Sequence, residues 1–489
     1  MNNPIRRLAV LVTLMFCALL VASSIVQFAQ ADDLRQQKEN RRTLLTRYSA
    51  ERGSILVGSA PIARSEPVDD ELKYLRTYPK GRLYSHVTGY YSFVYGAGGG
   101  LESASDDVLS GQSDALFYRR LGDLLLGRRP TGLNVEVTIN DKAQAAADRA
   151  LGSQRGAVVA IAPRTGAILA MVSHPQFDPN ALSSHQGSRV AAAVEQLTKD
   201  PTKPLINRVI GGDLYPPGST FKVVTAAAAL SEGRLTEDSQ VTGPAALKMP
   251  GTTVTLRNSG GGSCGGGTLT LTQAMQVSCN TAFGQIGMDL GATALREQAA
   301  RFGFSQPLAI PITVSTSDVG PITGKPQEAF SAIGQQDVRV TPLQMAMIAA
   351  AVANDGRLMR PYLIQQTRGT GTDVVERTEP KEMSQPVSQD VADALTRMMV
   401  KVVDAGTGTR AQIDGVAVAG KSGTAEHGSD ARGVKRPPHA WFISFAPADN
   451  PTVAVAVVVE DGGRAGSEAA GGRVSAPIAR EVMKAVIAP

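Results

Sequence analysis

The chain opens on one unbroken apolar run. Arg6 and Arg7 precede Leu8 to Ala29, where Thr13, Ser23, Ser24 and Gln27 are the only polar members. A helix of this length, rising 1.5 Å per residue, crosses the hydrocarbon core of a bilayer, about 30 Å thick. The basic flank before the run places the N-terminus in the cytoplasm and the rest of the chain outside. Ala29-Gln30-Ala31 before Asp32 also fits a signal-cleavage site, which would remove the run. The length of the run and the Ser23-Ser24 interruption favour an anchor. Either reading exports the remainder.

Beyond the run, residues 32 to 50 are polar and helix-prone, as in a membrane-proximal stalk. Residues 51 to 133 are short-patterned and rich in turns, which predicts a small α+β module, closed by a Gly127-Arg128-Arg129-Pro130-Thr131-Gly132 linker. Leu133 to Ile139 alternates as a strand, and the Ala-rich stretch Asp141 to Leu151 is helical. Ala157–Ala162 and Ala167–Val172 flank the turn Pro163-Arg164-Thr165-Gly166 as a hairpin. Helical patterns dominate residues 219 to 400. Strands return at His439–Ala446 and Val453–Val459, and a helix closes the chain from Ser475 to Ile487. Residues 259–267, 366–386, 426–437 and 462–473 read as loops. Sheet elements at both ends of a helical middle predict one α+β domain whose ends meet in a single sheet. The organisation is therefore residues 1–31 as cytoplasmic tip and anchor, 32–133 as N-terminal module, and 134–489 as the main domain.

Composition narrows the function. The chain is 43% hydrophobic and 19% charged, which excludes a disordered chain. Its net charge of +5 is spread along the sequence, with no dense Lys/Arg tract interleaved with aromatics, which argues against a nucleic-acid partner. The five histidines are scattered and no C-x-x-C pair exists, so neither a metal nor another cofactor is expected. Cys17 lies in the apolar run. Cys264 and Cys279 would meet an oxidising compartment, and a disulfide between them would tie a Gly-rich loop to the next helix; two free thiols are the alternative.

Two motifs are decoys. Gly415 to Ser422 satisfies the P-loop pattern, but its interior Val-Ala-Val-Ala is strand-like and Gly423-Thr424-Ala425-Glu426 cannot open a stable helix. Gly261-Gly262-Ser263-Cys264-Gly265 satisfies GxSxG inside a glycine tract, without the strand and helix a nucleophile elbow needs.

Three other segments carry chemistry. Ser219 and Lys222, after Tyr215-Pro216-Pro217-Gly218, lie at the start of a helix-forming run and share one face. A serine hydroxyl needs a base, and a lysine serves only when neutral, a form that burial and a helix N-terminus favour. Ordinary capping by Ser219 and solvation of Lys222 is the bland reading. Ser278 and Asn280 add a proton-relaying hydroxyl and a carboxamide to hold an amide, or simply cap a helix. Lys421-Ser422-Gly423-Thr424 ends the apolar stretch Val416–Ala419. There an extended backbone could bind a peptide by strand addition, with Gly423 allowing close approach; a solvated turn is the alternative.

The ordered set S-x-x-K, S-x-N, K-[ST]-G is the arrangement of the penicillin-recognising serine enzymes. The chain resembles the class B penicillin-binding proteins, monofunctional peptidoglycan D,D-transpeptidases, and looks most similar to the penicillin-binding protein A branch of high-GC Gram-positive bacteria. Arg52-Gly53-Ser54-Ile55 is similar to the family's RGxI signature, and Gly98-Gly99-Gly100-Leu101-Glu102 to its G-L-E segment. Gly334-Gln335-Gln336 with Val340-Thr341-Pro342-Leu343-Gln344 resembles GQG…TPLQ, Gln336 departing from the usual glycine. Gly406-Thr407-Gly408-Thr409 and Trp441-Phe442 also sit where the family has them.

The resemblance implies a serine β-lactamase-like transpeptidase domain, a central antiparallel sheet flanked by helices, on an α+β pedestal or dimerisation-like module. It implies Ser219 as nucleophile toward D-Ala-D-Ala and Lys222 as base. Ser278 and Lys421 relay a proton, and Asn280 orients the peptide. Ser422, Gly423 and Thr424 hold the carboxylate and oxyanion. It further implies β-lactam sensitivity, peptidoglycan stem peptides as substrate, and a polytopic membrane glycan polymerase as partner. A β-lactamase, a D,D-carboxypeptidase and a non-catalytic β-lactam sensor or scaffold are the rivals.

Overall fold

The computed structural model describes residues 2–29, 48–113, 131–369, 373–429 and 432–488. Most of the polar stalk and linker, and Gln30-Ala31 of the possible cleavage site, lie outside them. Helix α1 (Asn2–Ser24) carries the apolar run and continues as a π-helical turn to Ala29. The span Asn3–Gln27 is 25 residues long, and its most apolar window has a mean hydropathy of 2.6 with no residue buried, which fits a single-pass membrane anchor.

The N-terminal module starts with an antiparallel meander, β1 (Ile55–Val57), β2 (Ala60–Pro67) and β3 (Tyr74–Thr77). Strand β4 (Asn134–Val137) pairs in parallel with β1. Where the RGxI and G-L-E segments meet, they form a buried ion knot. Arg52 Nε is 2.7 Å from Glu102 Oε2, Arg52 Nη1 2.6 Å from Asp106 Oδ1, and Arg76 Nε 2.6 Å from Glu102 Oε1. Burial works against the Glu102 charge, but Arg76 and Arg52 overcome it and hold the carboxyl below its ordinary value.

A second sheet is built from both ends of the sequence. Asn140 caps α2 (Asp141–Leu151) by accepting from the Ala143 N–H. The hairpin β5 (Gly156–Ile161) and β6 (Ile168–His174) follows. The middle supplies α3 (Lys222–Ser231), α4 (Asn280–Arg301, interrupted at Gly291) and α5 (Pro342–Ala353). Strands β7 (Ile364–Arg368) and β8 (Val374–Arg377) complete the first sheet in the order β8-β7-β4-β1-β2-β3. They occupy part of a stretch that reads as a loop. All four β8 side chains are exposed, so no apolar alternation announced the strand, and pairing with β7 created it.

After α6 (Gln389–Ala405) come β9 (Ala419–Ala425), β10 (His439–Ala446), β11 (Val453–Val459) and α7 (Gly471–Ile487). The second sheet is antiparallel, in the order β9-β10-β11-β5-β6. Every residue of β10 and β11 is buried, because α5 covers one face and α7 the other, while α2 packs on α7 and on the β5-β6 hairpin. That double cover explains why Val453–Val459 is apolar without alternation. Strand β9 starts at Ala419, later than the apolar stretch suggests, so Lys421-Ser422-Gly423-Thr424 lies inside the strand rather than at its end. The P-loop pattern thereby runs from a turn at Gly415 into strand β9, and it opens no helix.

Candidate active site

The chain from Tyr215 to Phe221 is pinned from three sides. Tyr215 pairs with Val340, the Trp441 indole donates to the Pro216 carbonyl at 3.0 Å, and the Gly218 N–H donates to Gly334 O at 2.9 Å. Gly218 has φ +55°, and a Cβ there would lie 2.6 Å from Thr424 O. Only glycine lets this turn lie so close to β9. Ser219 occupies the single 3₁₀ turn Gly218–Phe221 that leads into α3. Opposite it, Ser278 has φ +59° in the turn before α4, which Asn280 opens.

The three motifs meet at the Ser278 hydroxyl. Lys222 Nζ is 3.2 Å from Ser278 Oγ, 2.8 Å from Ser278 O and 2.7 Å from Asn280 Oδ1. Lys421 Nζ lies 2.9 Å from the same Oγ and 2.9 Å from Ser422 O. Both lysines are fully buried, and among the described residues no carboxylate compensates either charge. Burial, reinforced by Lys421, pushes Lys222 well below the usual lysine range. Burial alone brings Lys421 down to about 7. A neutral Lys222 amine has two N–H groups and one lone pair. Ser278 O and Asn280 Oδ1 are pure acceptors and take both hydrogens, which leaves the lone pair for a hydroxyl proton. Among the described residues the Ser219 hydroxyl itself has no hydrogen-bond partner, so none competes with an incoming electrophile.

Ser219, Ser278, Asn280, Ser422, Gly423 and Thr424 line one cleft of about 1080 Å³. Strand β9 is an edge strand, so one side of its backbone is left for a ligand. The Thr407 and Ser422 hydroxyls are 2.6 Å apart. Cys264 and Cys279 form a disulfide that joins the Gly-rich loop to the residue between Ser278 and Asn280.

Among the described residues one group could offer metal ligands: His427, His439 and Asp461, with ligand atoms within 4.8 Å of one another. The two imidazoles stack in parallel, 3.5 Å apart, so their in-plane lone pairs run side by side rather than converging. The group does not line the cleft around Ser219.

Sequence reasoning missed several supports. Trp441 was legible as a family position, but its bond to Pro216 was not. Tyr215 OH donates to buried Glu460 at 2.7 Å, which Arg208 also holds at 2.8 Å, and no local pattern marks that acid.

A helix-covered antiparallel sheet, with a turn serine, two buried lysines and a bridging serine at its edge, defines a penicillin-recognising serine enzyme. Residues 156–484 match the penicillin binding protein transpeptidase domain, and residues 52–135 the penicillin binding protein A dimerisation domain. The chain belongs to the penicillin-binding protein transpeptidase family. It is 45% identical to peptidoglycan D,D-transpeptidase PbpA of Mycolicibacterium smegmatis, covering 100% of this chain and 99% of that protein. The ceftriaxone acyl-enzyme structure of penicillin-binding protein A from M. tuberculosis superposes with a TM-score of 0.86. It has 45% identity and covers 91% of this chain and 100% of that one. A D,D-transpeptidase domain from Eggerthella lenta gives a TM-score of 0.76 at 33% identity, over 89% and 98%.

Proposed function

We infer that this chain is a serine-type peptidoglycan D,D-transpeptidase that cross-links stem peptides through an acyl-enzyme and is inhibited by β-lactams. The observation that carries the mechanism is the Ser278 hydroxyl shared by two buried lysines, without an acid. Ser219 Oγ attacks the carbonyl of the penultimate D-Ala, and its proton passes to the Lys222 lone pair. The Ser219 and Thr424 N–H groups stabilise the oxyanion. As the C–N bond breaks, the departing amine takes a proton from Ser278, which Lys222 and Lys421 replenish. Ser422 and Thr424, with Lys421 behind them, hold the terminal carboxylate, and Asn280 orients the peptide. An acceptor amine then attacks the ester, forming the cross-link and returning the proton to Ser219. Mass spectrometry of penicillin-treated protein should place one adduct on the Ser219 peptide, and a D-Ala-D-Ala thiolester should be turned over. An adduct without turnover would support the sensor reading instead.

Residues 32–133 act as the pedestal and 134–489 carry the chemistry. The paired arginines Arg6 and Arg7, inside α1 but before its apolar run, support a cytoplasmic N-terminus with the catalytic domain outside; a reporter at the C-terminus active only in the cytoplasm would reverse that. The pedestal docks a polytopic glycan polymerase, a reading that rests on family likeness. Photo-cross-linking from exposed Lys73 or Arg82 in membranes tests it, and the absence of any polytopic membrane partner would count against it.

A further inference from the structure

Two non-glycine residues with left-handed backbone line the cleft, Ser278 at φ +59° and Gln336 at φ +60°. Left-handed backbone is disfavoured for a residue with a Cβ, and such strain persists where neighbours impose it and function retains it. The first of the pair sits between the two lysines. The second has no role in the chemistry described so far.

The structure around Gln336 imposes its conformation. Arg339 Nη1 donates to the Gln336 carbonyl at 2.9 Å and to the Val338 carbonyl at 2.9 Å. Two residues earlier Gly334 receives the Gly218 N–H, and a Cβ there would lie 2.1 Å from Gly218 O. Glycine is therefore obligatory at 334 for reasons of space. At 336 glycine would be favoured by backbone conformation, and the chain nevertheless places a long carboxamide there. That side chain is exposed at the wall of the cleft, and among the described residues its amide has no hydrogen-bond partner. Its backbone hangs from the segment that holds the Ser219 turn.

We propose that Gln336 is a specificity-determining contact for the stem peptide: its carboxamide hydrogen-bonds the peptide backbone bound in the cleft, beyond the scissile D-Ala-D-Ala unit. An extended peptide offers alternating N–H and C=O groups, and a carboxamide answers both. A shorter or purely accepting side chain answers one or neither. The proposal rests on the transpeptidase reading and adds to it a residue outside the three motifs.

The test compares Gln336→Gly, which removes strain and amide together, with Gln336→Ala, which removes only the amide. Kinetics are measured on a D-Ala-D-Ala thiolester carrying the stem peptide and on benzylpenicillin, which lacks the stem. Both variants should raise KM for the thiolester by about fivefold, the scale of one hydrogen bond, with kcat within about twofold. Penicillin acylation should stay within about twofold of wild type, and Gln336→Gly should melt above Gln336→Ala. An unchanged KM in both variants overturns the contact. So does a parallel loss of penicillin acylation, which would make Gln336 a support of the Ser219 turn. A wild-type chain that forms the penicillin adduct without turning over the thiolester fails differently: it overturns the transpeptidase reading, and the contact with it.

Discussion

The pedestal and the cleft both bury positive side chains, and burial has opposite consequences in the two places. In the pedestal, Arg52 and Arg76 grip Glu102, and Asp106 adds a second acid to Arg52. Desolvation opposes each charge, but Glu102 outweighs it for Arg52, whose guanidinium is held more firmly protonated than in water. In the cleft, Lys222 and Lys421 face hydroxyls, carbonyls and a carboxamide, and burial weakens their hold on a proton. The partner decides: a carboxylate converts burial into a structural lock, whereas neutral acceptors convert it into a base. The arginines suit the first task because they do not deprotonate, and the lysines the second because they do.

The contrast can be broken most completely at the nucleophile. Ser219→Ala should abolish the penicillin adduct in intact-mass spectrometry while the melting temperature holds. A surviving adduct would move the chemistry elsewhere. Next comes the base. Lys222→Ala should slow acylation by about 10²- to 10⁴-fold, the range for losing a general base. Ser278→Asp would import the pedestal's solution into the cleft, since aspartate tolerates left-handed backbone. Both lysines should then stay charged, and stopped-flow acylation should fall by about 10²-fold or more. Acylation at the wild-type rate would end the comparison.

The reverse experiment removes the pedestal's acid. Glu102→Gln leaves two buried guanidiniums undercompensated and should cost about 3–5 kcal/mol in denaturant unfolding, without slowing acylation per folded molecule. A smaller effect follows from pH. Lys421 binds its proton at about 7 when folded against 10.5 for an ordinary lysine, so the unfolded chain holds more protons between those values. Stability from this group should rise with pH across that window. Below about pH 7 penicillin acylation should decline as Lys421 charges. Glu102 is depressed instead, so its contribution is present above the ordinary glutamate value of 4.5 and lost as pH falls through the folded value. A flat acylation profile through pH 7 would contradict a role for neutral Lys421 in acylation. Least of all should Glu426→Gln matter: its pair with Lys435 at 3.0 Å is mostly exposed and is worth at most about 1 kcal/mol.

Sequence alone determined the apolar span, the hairpin β5-β6, helix α2 and strands β10 and β11, since local periodicity and turn residues specify each of them. It also supplied the order of the three motifs, and with it the enzyme class. The exposed edge strand β8, the true start of β9 and the supports of the Ser219 turn were illegible, because each depends on a partner distant in the chain. Glu460 under Tyr215 and the left-handed Gln336 belong to the same group. Tertiary structure also decided the protonation of Lys222 and Lys421. A lysine reads the same in any sequence, and its charge follows from how much water and which atoms the fold leaves around it.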